Sequence, residues 1–124
     1  MSDTTYQGYK NYETFSVCLH VDNDRALLAS YQLDGANMLA WVRSQVAAGV
    51  DDVPNKWGDC THSISVLGVR DVARFILASK YKGAHERLIE RLGLPEPYGT
   101  LLSSALSEVD WLEVADEYIP KEGE

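Results

Sequence analysis

Apolar residues recur at the helical period of three to four positions along most of the chain. Tyr12, Phe15 and Leu19 form one such series, and the segments around Trp41 and Trp111 repeat the same spacing. The pattern predicts a mainly α fold, a compact bundle of about six short helices. The helical segments that it predicts begin at Asn11, Arg25, Ala36, Gly68, His85, Tyr98 and Glu108.

Turn-forming residues separate these predicted helices. The cluster Asp22-Asn23-Asp24 ends the first helix and can cap the second, since Asn and Asp favour caps and turns. Asp34-Gly35 predicts a turn between the second and third helices, and Gly83 predicts a break between the helix that begins at Gly68 and the next one. Ser107 with Asp110 three residues later resembles a capping box, which predicts that Ser107 is the N-cap of the last helix.

One stretch between the helices is rich in turn formers and is predicted to be a long loop, residues 49–62. Loops of this length are uncommon unless they are functional or mobile. After it, Ile64 and Val66 alternate with serines. That alternation predicts either a short strand near 63–67 or an extended lead-in to the next helix.

The chain of 124 residues is long enough for one domain with its own core. We expect a loose arm over 1–10, a single helical domain over 11–119 and a frayed tail over 120–124. No apolar run approaches the ~20 residues that a membrane span needs. Residues 1–5 are polar, unlike a secretory signal. We therefore expect a cytoplasmic protein with no membrane partner.

Charge is distributed unevenly along the chain. The net charge is -8, made up of -4 in residues 1–62, +3 in residues 63–92 and -7 in residues 93–124. An acidic protein is repelled by the phosphate backbone, so direct binding to nucleic acid is disfavoured. A basic partner is favoured instead, including a protein or nucleoprotein complex that grips nucleic acid.

The acidic side chains are candidates for contacting such a partner. One interpretation is that they form an ordinary solvated surface, which is the commoner case. The other is that they imitate nucleic acid. Such a mimic needs many carboxylates held rigidly, because a duplex carries about one charge per 1.7 Å of axis. The candidates are Glu108, Glu113, Asp116, Glu117, Asp22, Asp24, Asp51, Asp52 and Asp59.

The basic middle segment offers an alternative surface. Arg70 and Arg74, and likewise Arg87 and Arg91, are four residues apart and align on one helix face. These arginines suit a nucleic-acid contact in an accessory protein. They also suit intramolecular pairing with Glu86, Glu90 and the acidic C-terminal helix. The neighbouring charge of -7 favours the pairing.

Two Cys-x-His pairs supply the ligand types that zinc prefers: Cys18 with His20, and Cys60 with His62. Residues at i and i+2 of a helix point in nearly opposite directions, so Cys18 and His20 cannot share an ion from a helix. We expect buried thiols, unrelated imidazoles, no disulfide and no cofactor. No nucleophile, phosphate-loop or dinucleotide motif occurs. A small metal-dependent enzyme remains the alternative to a binding protein.

Two stretches resemble a group of short phage- and plasmid-encoded proteins. Residues 8–15, GYKNYETF, with Asp22-Asn23-Asp24 after them, are similar to an opening that reads Asn-Tyr-Glu-Thr-Trp, an apolar helix, then Asn-Asp. Residues 105–115, ALSEVDWLEVA, are similar to the last helix of the same group. Phe15 and Ser16 depart from the group's usual Trp and Asn.

The resemblance implies an origin on a mobile element. Small acidic proteins of such origin are often inhibitors of host defence, of the anti-restriction or anti-CRISPR type. The group has no settled activity, so it implies no catalytic residues. Together with the charge, it leads to the hypothesis of a non-enzymatic inhibitor in the host cytoplasm. That inhibitor docks an acidic surface on a basic, nucleic-acid-binding site.

Overall fold

The computed structural model describes residues 8–58 and 60–120, which form a helical bundle with one β-hairpin. The predicted mainly α fold is thus confirmed, although two of the helices are long, with 23 and 24 residues. The elements are α1 (Tyr12–Asn23), α2 (Arg25–Ala47), β1 (Asp52–Asn55), β2 (Cys60–Ser63), α3 (Ile64–Leu67), α4 (Val69–Leu92), α5 (Tyr98–Ser107) and α6 (Trp111–Tyr118).

Helix α4 is the centre of the bundle. It packs against α2, α6, α5, α3 and β1, while α1 packs against α2 and α6. Val42 of α2, Ile76 of α4 and Val114 of α6 meet in the core with at most 1% of their surface exposed. Each such aliphatic side chain contributes roughly 1.5–3 kcal/mol through removal of its apolar surface from water.

Helix α1 begins where the sequence predicts, because Asn11 is its N-cap. The Asn11 side-chain oxygen accepts a hydrogen bond from the Thr14 backbone nitrogen at 2.9 Å. The Asn11 amide also donates to the Glu108 carbonyl at 2.6 Å. One residue therefore starts α1 and fastens it to the segment that leads into α6.

The face of α1 that points inward differs from the predicted stripe. Tyr12 and Leu19 are exposed, whereas Thr14, Cys18 and Val21 are buried. The prediction was wrong because it followed apolarity alone. The Thr14 hydroxyl can enter the core because it accepts a hydrogen bond from the Asp110 backbone nitrogen at 2.9 Å.

The turn predicted at Asp34-Gly35 is wrong, because α2 continues through both residues. Gly35 is buried, and a Cβ atom there would lie 1.9 Å from the Tyr118 carbonyl oxygen. This glycine therefore allows α2 to approach α6 closely and does not break the helix. The break predicted at Gly83 is likewise wrong, since α4 continues through it.

The predicted loop over 49–62 contains a β-hairpin. Strands β1 and β2 are antiparallel, and Val53 pairs with His62 in their register. The strand predicted near 63–67 is wrong: the strand occupies 60–63, and 64–67 is the short helix α3. Hydrogen bonding to a cap decides this boundary, because the Ser63 hydroxyl accepts from the Val66 backbone nitrogen at 3.4 Å.

The capping box predicted at Ser107 is also wrong. Ser107 is the last residue of α5, and its hydroxyl donates to the Ser104 carbonyl at 2.6 Å. Asp110 caps α6 instead, accepting from the Glu113 backbone nitrogen at 3.2 Å. The contact between Thr14 and Asp110 holds this cap in place, and it involves residues far apart in the chain.

The N-terminal segment contacts the domain where it is described. Tyr9 packs partly buried against the core, and the Lys10 backbone nitrogen donates to a Glu113 carboxylate oxygen at 2.8 Å. Most of the predicted arm, 1–7, and most of the predicted tail, 121–124, lie outside the described residues. None of the helices in residues 8–58 and 60–120 combines the length and apolarity needed to cross a bilayer.

Candidate binding surfaces

Helices α1 and α6 lie side by side and run in the same direction. Thr14 contacts Asp110 near the start of both helices. Near their ends, the Tyr118 hydroxyl donates to an Asp22 carboxylate oxygen at 3.0 Å. The resulting surface carries Asp22 from α1 with Glu113 and Glu117 from α6. We refer to these three acids as the acidic edge.

Asp22 and Glu117, two members of the acidic edge, affect the pKa values of the same two side chains, Cys18 and Tyr9. Burial is the main cause that raises the pKa of the Cys18 thiol to about 11, and the negative charges of Glu117 and Asp22 add to it. Burial also raises the pKa of Tyr9, with further contributions from Cys18, Glu117 and Asp22. These shared effects mean that the two carboxylates converge on one region, although they come from opposite ends of the chain.

Asp116 differs from the acidic edge because it is neutralised within the molecule. Its carboxylate forms an ion pair with the Arg70 guanidinium. The same guanidinium donates to the backbone carbonyls of Asp116 and Ile119, each at 3.1 Å. Arg70 thereby joins α4 to the C-terminal end of α6, whose last carbonyls it satisfies.

Two further acidic candidates lie at helix boundaries. Asp24 is the N-cap of α2, where its side chain accepts from the Leu27 backbone nitrogen at 3.0 Å. Its negative charge also suits the positive end of that helix. Glu108 is exposed directly after α5, and its carbonyl is the acceptor for Asn11.

The remaining acidic candidates belong to the hairpin region. Asp51 accepts hydrogen bonds from the Ser63 hydroxyl and the Ser65 backbone nitrogen, both at 2.8 Å, and these bonds lower its pKa. Asp52 is exposed at the start of β1. Asp59 lies outside the described residues. The hairpin packs on α3 and α4, so its acids form a group separate from the acidic edge.

The four arginines of the alternative basic surface divide into two pairs. Arg70 is engaged by α6, as described above. Arg74 forms an ion pair with Asp71 at 3.2 Å and lies 5.8 Å from the centre of the Phe75 ring. Arg87 and Arg91 are exposed on the C-terminal half of α4. Arg70 therefore makes the predicted contact with the acidic C-terminal helix, whereas Arg74 pairs with Asp71, an acid that the sequence does not single out.

The cysteines and histidines do not meet at one point. Cys18 is buried in α1 and His20 is exposed on the same helix. Cys60 and His62 are neighbours on β2, with 3.6 Å between the thiol sulfur and the imidazole Nε2. Both cysteines are free thiols. Among the described residues, no three His, Cys, Asp or Glu side chains are close enough to hold a metal ion.

A groove that the sequence does not predict lies between α2, the hairpin and α4. Its volume is about 370 Å³. We refer to it as the hairpin groove. It is lined by Asp34, Asn37, Met38 and Trp41 of α2, Pro54, Lys56 and Trp57 of the hairpin, and Lys80 of α4.

A buried amide fixes the hairpin wall of this groove. Asn55 is 2% exposed, and its amide nitrogen lies 3.1 Å from both the Ser79 hydroxyl and the His62 Nε2. Its side-chain oxygen accepts from the Trp57 backbone nitrogen at 3.1 Å. A Cβ atom on Gly58 would lie 3.1 Å from the same amide nitrogen, so a larger residue there would crowd the turn.

One signal in the sequence could have pointed to this groove. Its four α2 residues occur at i, i+3, i+4 and i+7, which is a single helix face with two polar and two large apolar members. The predicted turn at Gly35 cut this face in two. Comparisons with protein-family models, curated proteins and solved structures found no match to the chain.

Proposed function

We propose that this chain is a small, acidic, non-enzymatic binding protein of phage or plasmid origin. It inhibits a host defence complex of the CRISPR or restriction type by docking its acidic edge on a basic, nucleic-acid-binding site. The observation that carries the proposal is the convergence of Asp22 and Glu117. Burial is the main cause that raises the pKa values of the Cys18 thiol and the Tyr9 phenol, and these two carboxylates lie close enough to both groups to add to the effect.

Two of the three carboxylates of the acidic edge are held in place by hydrogen bonds, which suits them to recognition. Asp22 is held by the Tyr118 hydroxyl, and Glu113 is held by the Lys10 backbone nitrogen. A carboxylate that is already fixed loses little conformational freedom when a partner binds, so more of its electrostatic attraction appears as affinity. The net charge of -8 adds long-range steering towards a basic surface.

Internal contacts make some of the candidate acids less suitable for docking than others. Asp116 is paired with Arg70, so a partner must compete with that guanidinium. Asp24 and Asp51 have hydrogen-bonding roles at helix starts. The docking surface proposed here is therefore the acidic edge, with the exposed Glu108 beside α6 as an outer member.

The test measures defence in living cells. Bacteria that carry a CRISPR or restriction system are infected with a targeted phage, and plaque numbers are counted with and without expression of this chain. We expect expression to restore plaques, and we expect Glu117→Lys to remove most of the restoration. Glu90→Lys is the matched control: it makes the same change in charge at an exposed position of α4 that is outside the acidic edge and is not one of the candidate acids.

The outcomes separate the parts of the proposal. If no defence system in the panel is inhibited, the inhibitor function is refuted. If Glu117→Lys restores as many plaques as the original chain, the acidic edge is not the docking surface. If Glu90→Lys fails as completely as Glu117→Lys, the net charge of the protein matters and the position of the acidic edge does not. Circular dichroism spectra must match for all variants, so that misfolding does not imitate loss of binding.

A further inference from the structure

The hairpin groove differs in charge from the rest of the molecule. Lys56 and Lys80 face a single carboxylate, Asp34, so its charged lining is net positive in a chain of net charge -8. We propose that this groove is a binding site for a free mononucleotide, whose base stacks on Trp41 and whose phosphate is held by Lys56 and Lys80. The proposal goes beyond the docking function and does not depend on it.

Trp41 supplies the stacking surface. It lies on the groove face of α2 with 40% of its surface exposed, so part of its indole is accessible to a ligand. Met38, which is 9% exposed, and Pro54 line the groove with it. An aromatic ring stacks on an exposed indole without regard to base identity, because every base has a π-face.

The ammonium groups are positioned by the second indole. The Lys56 Nζ lies 4.8 Å and the Lys80 Nζ lies 5.9 Å from the centre of the Trp57 ring. Both distances fall within the reach of a cation–π interaction. Trp57 therefore orients both lysines, and its ring is not available to bind a cationic ligand. For this reason the groove favours an anion.

The number of ammonium groups favours phosphate over carboxylate. Asp34 lies 3.5 Å from the Lys80 Nζ and accepts a hydrogen bond from the Tyr81 hydroxyl at 3.5 Å, so it offsets part of the Lys80 charge and a phosphate must compete with it for that ammonium group. A phosphate monoester can compete because it carries nearly two negative charges at neutral pH and offers three acceptor oxygens, which can reach Lys56 as well as Lys80. The Asn37 amide, on the same rim, can donate to and accept from a base edge.

The size of the groove and the net charge of the chain favour a free nucleotide over a longer nucleic-acid strand. A volume of about 370 Å³ lies within the usual range for small-molecule sites. A longer strand would bring additional phosphates close to a protein of net charge -8, which would repel them. The Asn55 hydrogen bonds fix the hairpin wall before binding, so the site is largely preformed.

The test is isothermal titration calorimetry with AMP, GMP, CMP and UMP, with adenosine and inorganic phosphate as partial ligands. We expect saturable one-to-one binding of at least one nucleotide and at least tenfold weaker binding of each partial ligand. Trp41→Ala and Lys56→Ala should each weaken binding about tenfold, equivalent to about 1.4 kcal/mol. Tyr98→Ala and Lys82→Ala change an exposed aromatic residue and an exposed lysine outside the groove, and should leave binding unchanged.

Three results would overturn the proposal. The first is the absence of saturable binding for all four nucleotides in the millimolar range. The second is binding that Trp41→Ala and Lys56→Ala leave intact, which would place the nucleotide elsewhere. The third comes from an eight-nucleotide single strand: if it binds more tightly than every mononucleotide and requires Trp41, the ligand is an unpaired strand.

Discussion

Replacement of Gly35 by alanine tests how closely α2 and α6 approach each other. Two effects of opposite sign act at this position. Alanine is more favourable than glycine inside a helix by about 0.5–1 kcal/mol. Against this, the new Cβ atom would lie 1.9 Å from the Tyr118 carbonyl oxygen and 3.0 Å from the Ile119 backbone nitrogen.

The steric effect should win because the obstacle is backbone. The Tyr118 carbonyl would have to move by about 1 Å before the contact even reaches 3.0 Å. That movement would disturb the packing of α6, including the hydrogen bond from Tyr118 to Asp22. Forcing an extra methyl into a packed interior costs typically 1–3 kcal/mol and more against rigid neighbours. We expect a net loss of about 2 kcal/mol in the free energy of unfolding.

Gly83→Ala is the matched control, since Gly83 is also an interior glycine of a long helix. A Cβ atom there would meet the Arg87 Nη1 at 3.2 Å, which is the flexible end of an exposed side chain. The helical preference of alanine should then dominate, and stability should rise by about 0.5–1 kcal/mol. Urea unfolding followed by circular dichroism at 222 nm measures both variants. A Gly35→Ala protein as stable as the original chain would refute the proposed close contact.

Two further predictions concern stability. Arg70→Met should lower the free energy of unfolding by about 1.5–3 kcal/mol, because a charged donor to Asp116 and Ile119 is lost. Arg70→Lys should retain only part of the stability that the arginine provides. A methionine variant as stable as the original chain would contradict this role of Arg70. The second concerns Cys18, whose thiol pKa is about 11 in the folded protein against 9.0 as the ordinary value. Between pH 9 and 11 the unfolded chain releases a proton that the folded one keeps, so stability is full below pH 9 and falls as the pH rises towards 11. In urea titrations at pH 8, 9 and 10, Cys18→Ala should show the shallower fall, and parallel slopes would contradict it.

Local features of the fold could be predicted from the sequence. Asn11 caps α1 because its own side chain reaches a backbone nitrogen three residues later. Gly93 ends α4 in the left-handed conformation that glycine adopts without strain, at φ 57°. The helical period likewise identified the fold class. Each of these depends on neighbours within a few residues, which a single sequence displays directly.

Features that depend on distant residues could not be predicted. The sequence shows Gly35 but not the Tyr118 carbonyl that makes a glycine necessary there. The hairpin over 52–63 is short and polar, and it is held by the burial of Val53 and Asn55 and by a hydrogen bond from Asn55 to Ser79 of α4. Without these contacts the same residues have the composition of a loop. The hairpin groove was missed for this reason, since one of its walls was not recognised as structured.

For the candidate acids too, the sequence does not show which distant residues each side chain contacts. Asp116 and Glu117 are consecutive and have the same charge, so the sequence treats them alike. Consecutive residues on a helix point about 100° apart. Asp116 therefore faces α4 and is neutralised by Arg70. Glu117 lies towards α1, where its charge and that of Asp22 add to the effect of burial, which is the main cause of the raised pKa of Cys18. A partner that recognises negative charge can use Glu117 at little cost, but it must break an ion pair to use Asp116. The charge of the C-terminal third indicates that an acidic surface exists; the packing of α6 between α1 and α4 decides which of its acids a partner can reach.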